Sequence, residues 1–244
     1  MNLGTRLVIV LSVACLMSAS LASIAQPAEE PSGRAIYDQT LRCTCWVRLP
    51  KGFGSGSLVD KSKKWVLTSC HVVQNFKTAT VYFPVFDDKG KAIVEHGPFE
   101  KASKPVRGKV ILRDSSHDLA LLELESLPEG ATEIKLAEKA ATVGERVHAV
   151  GNGKSNGGLF GYHAGFVRQI CARTDSYAGV KIVNCRVLET QSPHNPGDSG
   201  GPTVNDKCEL VGVTAAYIVP AQLVSFHIDI SEIREFLAKA GKEP

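Results

Sequence analysis

Short β-type runs recur along most of this chain, and they constrain its fold more than any other feature of the sequence. In the first half they include Trp65–Thr68, Thr78–Phe83 and Val106–Leu112, each followed by turn-forming residues. In the second half the same spacing returns, for example in Arg146–Gly151 and Leu210–Ala216. Regular short strands separated by turn signals are typical of an all-β barrel or sandwich.

Two segments show a helical pattern instead. Near the C-terminus Ile233, Phe236 and Leu237 follow helical spacing, with Asp229 or Ser231 available as a cap and Gly241 as the stop. This pattern predicts a helix that docks its apolar face on the β-structure. A second short helix is expected over Ala35–Leu41, before the first strand.

A serine surrounded by glycines and prolines is the first sign of chemistry. Residues 195–202 read Asn-Pro-Gly-Asp-Ser-Gly-Gly-Pro, a composition that excludes both helix and regular strand. Such a loop leaves backbone N–H groups free to point at one spot. An enzyme that attacks carbonyl groups needs a nucleophilic hydroxyl beside such donors. Ser199 is therefore the candidate nucleophile, and the N–H groups of Gly197 and Ser199 form the candidate oxyanion hole.

Partners for this serine occur earlier in the chain. His71 follows the apolar run 65–70, and Asp118 opens the apolar run 119–124. A neutral imidazole can take the proton of Ser199, and a carboxylate can fix the tautomer of that imidazole and stabilise its charged form. His117 precedes Asp118 directly, but neighbouring strand residues point to opposite faces, so we expect it to stay outside this relay.

Four segments in this order resemble a trypsin-like serine protease of the bacterial branch related to HtrA-type proteases. They are Gly54–Val59, Leu67–Val73, Asp118–Leu122 and Asn195–Pro202. The resemblance extends from about Ala35 to Ala240. It implies an all-β fold of two packed six-stranded antiparallel barrels with a C-terminal helix. His71 and Asp118 would come from the first barrel and Ser199 from the second, with the active site in the cleft between them.

This resemblance also suggests a domain plan. We expect a signal peptide over 1–25, a flexible lead over 26–33, the first barrel over 34–126 and the second barrel with its helix over 127–244. Many HtrA-type proteases carry a peptide-binding PDZ domain after the protease domain. None is expected here, because the sequence ends shortly after the helix.

The residues that select the substrate are known only through the resemblance. It puts the base of the primary specificity pocket near Pro193 and His194, and its wall near Thr214, Ala215 and Ala216. The absence of an acidic residue at the base argues against a preference for Arg or Lys. Small wall residues suggest a medium apolar side chain, whereas His194 or Thr214 could instead recognise Glu. His194 could also merely cap a turn, and the remaining histidines, including His163 and His227, carry no motif and are expected in surface or structural positions.

Asp198 raises a question about activation. In trypsin-like zymogens the aspartate at this place pairs with a new N-terminus made by cleavage. This chain contains no Ile-Val-Gly-Gly activation sequence. We therefore expect activity without zymogen cleavage, with another partner for Asp198 or none.

The N-terminal sequence predicts export. Arg6 is the single charge before Glu29, Leu7–Leu16 forms an apolar core, and Ser23-Ile24-Ala25 is a small-x-small cleavage site. The apolar run is short for a membrane span, so none is expected after signal removal. A lipoprotein signal at Cys15 is a weaker alternative. Either interpretation places the protein outside the cytoplasm, secreted or periplasmic.

Six cysteines remain after Cys15, and an even number in an exported protein suggests disulfides. Cys171 and Cys185 are the first predicted pair, since they lie on two β-rich runs joined by a turn around Asp175 to Gly179. Cys43 or Cys45 could reach Cys70 or Cys208. A zinc site built from Cys43, Cys45, Cys70 and His71 fits no common ligand spacing, so no metal is expected.

Charge and composition indicate no special binding partner. The formal net charge is +3 with scattered basic residues, and the densest group, Lys61, Lys63 and Lys64, falls in a predicted hairpin turn. This pattern favours a solvated loop over a nucleic-acid surface. The expected partner is a peptide or protein substrate, with no cofactor. A catalytically silent peptide-binding module on the same fold is the alternative.

Overall fold

The computed structural model describes residues 31–153, 158–217 and 223–241. The predicted signal peptide and most of the lead lie outside these ranges. Helix α1 spans Gly33–Leu41, and its N-cap Ser32 accepts a hydrogen bond from the backbone N–H of Ala35. Its buried Ile36 and Leu41 anchor it to the molecule, close to the position predicted for it.

The first barrel contains six antiparallel strands. They are β1 Thr44–Leu49, β2 Gly52–Asp60, β3 Trp65–Ser69, β4 Thr78–Tyr82, β5 Val106–Asp114 and β6 Leu119–Leu124. The strand order is β1-β2-β3-β6-β5-β4, and pairing of β1 with β4, which sets Val47 opposite Val81, closes the sheet. A four-residue helix, α2 Cys70–Val73, follows β3 directly.

The second barrel repeats this plan. Its strands are β7 Arg146–Gly151, β8 Gly161–Tyr177, β9 Val180–Thr190, β10 Pro202–Val204, β11 Leu210–Tyr217 and β12 Ser225–Asp229. The order is β10-β11-β12-β9-β8-β7, and β7 pairs with β10 to close it. The predicted fold of two six-stranded antiparallel barrels is therefore confirmed.

An apolar cluster joins the two barrels. Leu67, Leu119 and Leu121 of the first barrel lie in the same buried cluster as Val213 and Ile228 of the second. Burial of a leucine or valine side chain stabilises the fold by about 1.5–3 kcal/mol. The strands next to His71, Asp118 and Ser199 are consequently held against one another.

The long segment between β4 and β5 is more ordered than the sequence suggested. Residues 84–104 are rich in charges and turn formers, a composition typical of a surface loop, yet helix α3 forms at His96–Ala102. Phe99 is fully buried, and its ring lies 6.4 Å from that of Trp46 and 5.5 Å from that of Phe160. This apolar anchor, rather than local propensity, orders the segment.

The hairpin of β8 and β9 is also longer than expected. The turn was predicted around Asp175, Ser176 and Gly179, but β8 continues to Tyr177 and the turn consists of Ala178 and Gly179. Both have positive φ, 46° and 83°, as a two-residue type I′ turn requires. The polar residues before the turn occupy exposed strand positions because the hairpin extends beyond the barrel.

The predicted disulfides are not present: all six cysteines among the described residues are free. The strand register explains why the first predicted pair is absent. Cys171 lies opposite Val187, and Cys185 lies opposite Arg173, so the two cysteines are offset by two residues. Cys43 and Cys45 are buried, and Cys43 Sγ donates to the Thr40 carbonyl at 3.0 Å. Burial raises the pKa of the Cys43 thiol to about 12.

Helix α4 spans Ile230–Ala240, as predicted near the C-terminus. Of the two proposed caps Asp229 is the N-cap, since its carboxylate accepts from the backbone N–H of Ser231. Ile230, Ile233 and Phe236 are buried against the second barrel. Among the described residues, no helix has the length and apolar character to cross a membrane.

Candidate active site

His71 and Asp118 form a hydrogen-bonded pair in the first barrel. His71 Nδ1 lies 2.8 Å from Asp118 Oδ2, and the His71 backbone N–H donates to Asp118 Oδ1 at 2.9 Å. Since an ionised carboxylate only accepts hydrogen bonds, this contact assigns the ring proton to Nδ1. The Nε2 atom is thereby left with a lone pair, the arrangement that a general base requires.

The local fold holds this pair in place. His71 lies in helix α2 directly after β3, and Asp118 immediately precedes β6, the strand paired with β3. The backbone of Asp118 has φ of 51°, and its carbonyl accepts from the N–H of Cys70 at 3.1 Å. The Asp118 side chain is fully buried, while that of His71 retains 12% exposure. The pair therefore presents only the imidazole edge to the cleft.

Tyr177, at the tip of the β8–β9 hairpin, is a third member of this group. Its hydroxyl donates to Asp118 Oδ2 at 3.1 Å, and its ring packs edge-on against His71 with centroids 5.9 Å apart. Gln74 of the first barrel holds the tip by donating to the Ala178 carbonyl at 2.6 Å. Burial, followed by the Asp118 charge, raises the Tyr177 pKa strongly, so the hydroxyl keeps its proton.

Sequence reasoning missed Tyr177 because its contact is 59 residues away in the chain. A usable signal was the Ala178-Gly179 pair between two β-forming residues, Tyr177 and Val180. Gly179 permits the positive φ of a two-residue turn, so the pair could have extended the predicted strand, although Ala-Gly is a weaker signal than Asn-Gly or Asp-Gly. It would not have shown that the hairpin reaches the other barrel.

Ser199 lies in the loop between β9 and β10, against the segments that carry His71. Its carbonyl accepts from the backbone N–H of Ser55 at 2.8 Å. The next residue, Gly200, is so close to β3 that a Cβ there would lie 2.3 Å from Thr68 Oγ1 and 2.9 Å from Ser69 N. The Ser199 hydroxyl donates to the Ala215 carbonyl at 3.3 Å. Within the described residues it makes no hydrogen bond to His71.

The loop before Ser199 exposes two backbone donors. Gly197 has φ of 105°, and its carbonyl accepts from Ser55 Oγ at 2.8 Å. The Asp198 N–H turns away to the Asn195 carbonyl at 3.0 Å. The N–H groups on either side, those of Gly197 and Ser199, have no hydrogen-bond partner among the described residues. They are the two donors singled out from the sequence.

Asp198 is buried beneath this loop and has found partners within the chain. Its Oδ2 accepts from the Asn195 N–H at 2.8 Å. His163 Nε2 lies 3.4 Å from the same oxygen, without forming a hydrogen bond of normal geometry. Asp198 thus lies between the Asn195 backbone and the His163 imidazole of β8, two groups of this chain that can interact with its carboxylate.

The residues expected around the specificity pocket have different environments. His194 and Thr214 are buried at 8% and 3% exposure, and Ala215 is buried with its carbonyl on the Ser199 hydroxyl. Ala216 belongs to β11, but its side chain lies outside the described residues. Pro193 is exposed to solvent.

This architecture defines a class of enzyme. Two closed antiparallel barrels whose junction brings a His–Asp pair beside a glycine-flanked serine are characteristic of trypsin-like serine endopeptidases. The chain belongs to the trypsin-like peptidase family, whose domain matches residues 54–213.

Known relatives include bacterial serine proteases of the HtrA and DegP type. The probable periplasmic serine protease do/HhoA-like of Haemophilus influenzae is 30% identical over 172 residues, covering 70% of this chain and 32% of the relative. The periplasmic serine endoprotease DegP of Escherichia coli K12 is 30% identical over 169 residues, covering 68% of this chain and 30% of the relative. The chain thus spans about a third of the length of these relatives.

Solved structures share the fold. The Rv3671c protease from M. tuberculosis in its active form aligns with a TM-score of 0.69 at 21% identity, covering 98% of this chain and 96% of that chain. The serine endoprotease from Yersinia pestis aligns with a TM-score of 0.65 at 20% identity, covering 85% of this chain and 66% of that chain. At these identities the likeness concerns the fold.

Proposed function

We propose that this serine endopeptidase is an exported enzyme that cleaves polypeptides through an acyl-enzyme on Ser199. His71 acts as general base and then general acid, and Asp118 orients it. The backbone N–H groups of Gly197 and Ser199 stabilise the oxyanion. One observation carries the proposal: the N–H groups on either side of Asp198 have no partner among the described residues, and they lie beside the Ser199 hydroxyl. The hydrogen-bonded pair His71–Asp118 comes from the adjoining barrel.

The reaction follows from these positions. Ser199 Oγ attacks the scissile carbonyl carbon, and its proton moves to His71 Nε2. The negative charge that develops on the carbonyl oxygen is held by the two N–H donors, which need no reorganisation at that moment. His71 then passes the proton to the leaving amine, and the acyl-enzyme forms. Water, deprotonated by the same imidazole, attacks the ester and releases the acid and Ser199.

The Ser199 hydroxyl must rotate before this reaction. It donates to the Ala215 carbonyl in the free protein, whereas attack requires it to donate to His71. This is a χ1 rotation, which takes place in nanoseconds for side chains near the surface. Catalytic hydrogen bonds in free enzymes are often incomplete and form in the substrate complex.

Two observations support export. The homologues DegP and the do/HhoA-like protein are named as periplasmic proteases. The N-terminal sequence has the charge, apolar core and small-residue site of a secretory signal, with predicted cleavage after Ala25. Because His163 and Asn195 already contact Asp198, we also propose that no further cleavage is needed for activity. N-terminal sequencing of the active enzyme tests both points, and an obligatory second cut would contradict the latter.

A fluorophosphonate probe tests the proposed nucleophile directly. We expect one label per molecule, on Ser199, together with cleavage of unfolded casein. Ser199→Ala should abolish both, while Ser62→Ala, in an exposed turn, should change neither. The bond from Ser199 to the Ala215 carbonyl favours one alternative, a peptide-binding module without catalysis. An unlabelled wild-type protein that binds peptide would establish that alternative.

A further inference from the structure

Three imidazole rings form a row inside the second barrel, next to the serine loop. The His194 ring centroid lies 4.8 Å from that of His227 and 5.2 Å from that of His163. His163 comes from β8, His227 from β12 and His194 from the loop that leads to Ser199. We refer to these three residues as the histidine row.

The central histidine of the row lacks hydrogen bonds. His227 is fully buried but satisfied, with Nδ1 2.7 Å from Thr203 Oγ1 and Nε2 2.8 Å from Thr190 Oγ1. Both ring nitrogens of His194 are buried, and neither makes a hydrogen bond of normal geometry among the described residues; the interaction with the Ser192 backbone is weak. A buried polar group without a partner costs about 1–3 kcal/mol. Such a residue is explained when a ligand supplies the missing partner.

The row lies beside the nucleophile. The Ser199 hydroxyl rests on the Ala215 carbonyl, and the preceding residue on the strand, Thr214, is paired with His227 in the sheet. His194 packs on His227, and its neighbour Asn195 is tied to Asp198 by two hydrogen bonds. His194 is thus linked to the region of the Ser199 hydroxyl in two ways: through strand β11, which pairs with His227, and through the loop that contains Asn195 and Asp198. Under the proposed function, the side chain of the residue before the scissile bond is expected to reach this region, because the resemblance to trypsin-like proteases puts the base of the specificity pocket near His194.

The row offers donors and is short of negative charge. Burial, and then the neighbouring His227, lowers the pKa of His194 well below its usual value. Burial, and then His163, lowers that of His227 to about 3. Among the described residues, the carboxylate next to the row is that of Asp198, which lies near His163. Its Oδ2 also accepts a hydrogen bond from the Asn195 N–H. A second negative group could therefore be accommodated next to His194.

We propose that His194, supported by His227, binds the carboxylate of a glutamate or aspartate side chain, so that the enzyme cleaves after acidic residues. This inference rests on the proposed function of Ser199. It replaces the medium apolar preference suggested by the small wall residues. The carboxylate accepts from the His194 N–H, and no covalent step is added to the reaction.

Other side chains fit this site less well. An apolar side chain would leave the ring nitrogens of His194 without a strong hydrogen bond. Lysine and arginine bring only donors and a positive charge to a group of imidazoles. Glutamine has the shape of glutamate but forms a neutral hydrogen bond. A charge-assisted bond is worth about 1.5–3 kcal/mol against about 1 for a neutral one.

The test compares peptides that differ only in the residue before the scissile bond: Glu, Gln, Leu or Lys. We expect kcat/KM for Glu to exceed that for Gln by about 10-fold or more, with Leu and Lys lower still. His194→Leu should bring the Glu-to-Gln ratio close to 1. His148→Asn removes a buried histidine of the same barrel outside the row, bonded to Tyr162 and Asp206, and should keep the ratio. Preferred cleavage after Leu in the wild type would overturn the proposal.

Binding separates this proposal from the proposed catalytic function. The Ser199→Ala protein is titrated with fluorescein-labelled product peptides that end in Glu or Gln, and binding is followed by anisotropy. Tighter binding of the Glu peptide supports the histidine row even if the wild type cleaves nothing. Equal binding, with a wild type that labels with fluorophosphonate and cleaves casein, rejects the row and leaves the catalytic proposal standing. The wild-type profile and this titration decide the matter even if His194→Leu fails to fold.

Discussion

The two halves of the candidate site differ in how completely their polar groups are partnered. In the first barrel both Asp118 oxygens accept hydrogen bonds, three in all, from His71 and Tyr177. In the second barrel neither ring nitrogen of His194 makes a hydrogen bond of normal geometry among the described residues. Asp198 Oδ1 is likewise buried without a hydrogen bond, and two N–H groups of the serine loop lack acceptors there. The pair proposed to transfer the proton is therefore fully hydrogen-bonded without substrate. The other half is built so that a substrate completes it.

The largest expected effect tests the complete half. His71→Ala should lower kcat/KM on the order of 10⁴-fold or more, because no base then accepts the Ser199 proton. His117→Ala is the matched control, since that imidazole contacts Asp114 and Glu232 and not Asp118. It should keep activity within a few-fold. Steady-state cleavage of a peptide that the wild type cuts gives both values, and comparable losses in the two variants would contradict the role of His71.

A second change tests the half that awaits substrate. Gly197→Ala should lower kcat/KM by about 100-fold to 1,000-fold, the usual effect of losing one oxyanion donor. Its φ is 105°, and the new Cβ would lie 2.5 Å from the Asn152 carbonyl oxygen, so the N–H must turn. Steady-state cleavage of the same peptide measures the loss.

Gly52→Ala controls for backbone strain alone. Gly52 has φ of 112°, and a Cβ added there would have nothing within 4 Å. The substitution should cost about 1–3 kcal/mol of stability and leave kcat unchanged. If both glycine variants lose the same activity, the effect of Gly197→Ala reports strain and not a lost donor.

The pH dependence of stability tests the burial of the histidine row. The pKa of His227 is lowered to about 3 in the folded state, against about 6.5 unfolded. Its contribution to stability is therefore complete above pH 6.5 and is lost as the pH falls from there toward 3. Between pH 7 and pH 5 the wild type should lose about 2 kcal/mol more than His227→Gln. Urea unfolding at the two pH values measures this difference, and parallel losses would show that His227 is not buried as described.

The smallest effect concerns the link between the halves. Tyr177→Phe should lower kcat about 10-fold, the loss of about 1.4 kcal/mol from a hydrogen bond to a charged group. The acidic limb of the pH profile of kcat should move to higher pH. Without the Tyr177 hydrogen bond, the Asp118 carboxylate stabilises the charged form of His71 more strongly. Tyr162→Phe removes a hydroxyl bonded to His148 and should leave the profile unchanged. A fall in kcat with an unmoved pH profile would mean that Tyr177 has a merely structural role.

The sequence allowed much of the fold to be predicted because local patterns are enough to define its parts. Period-2 strands and turn residues indicated the barrels, and the cap at Asp229 with Ile233 and Phe236 indicated helix α4. The predicted hairpin length and cysteine pairing were wrong, and the burial of Phe99 was missed. Each of these depends on a contact or a strand register that is set by distant parts of the chain.

By itself the sequence determined which residue types carry the chemistry: a loop that only glycine and proline can shape, a histidine after a strand and an aspartate before one. Backbone sterics and the two-residue period of strands act over a few neighbouring residues, so the sequence alone is enough to predict their effects. The tertiary structure alone decided what surrounds these groups, including Tyr177 on Asp118, His163 beside Asp198 and an unpaired His194 between two other imidazoles. Burial and hydrogen bonding in these barrels depend on distant residues, such as Ser55 and Gly197, which lie 142 positions apart, and no local pattern encodes which of them meet.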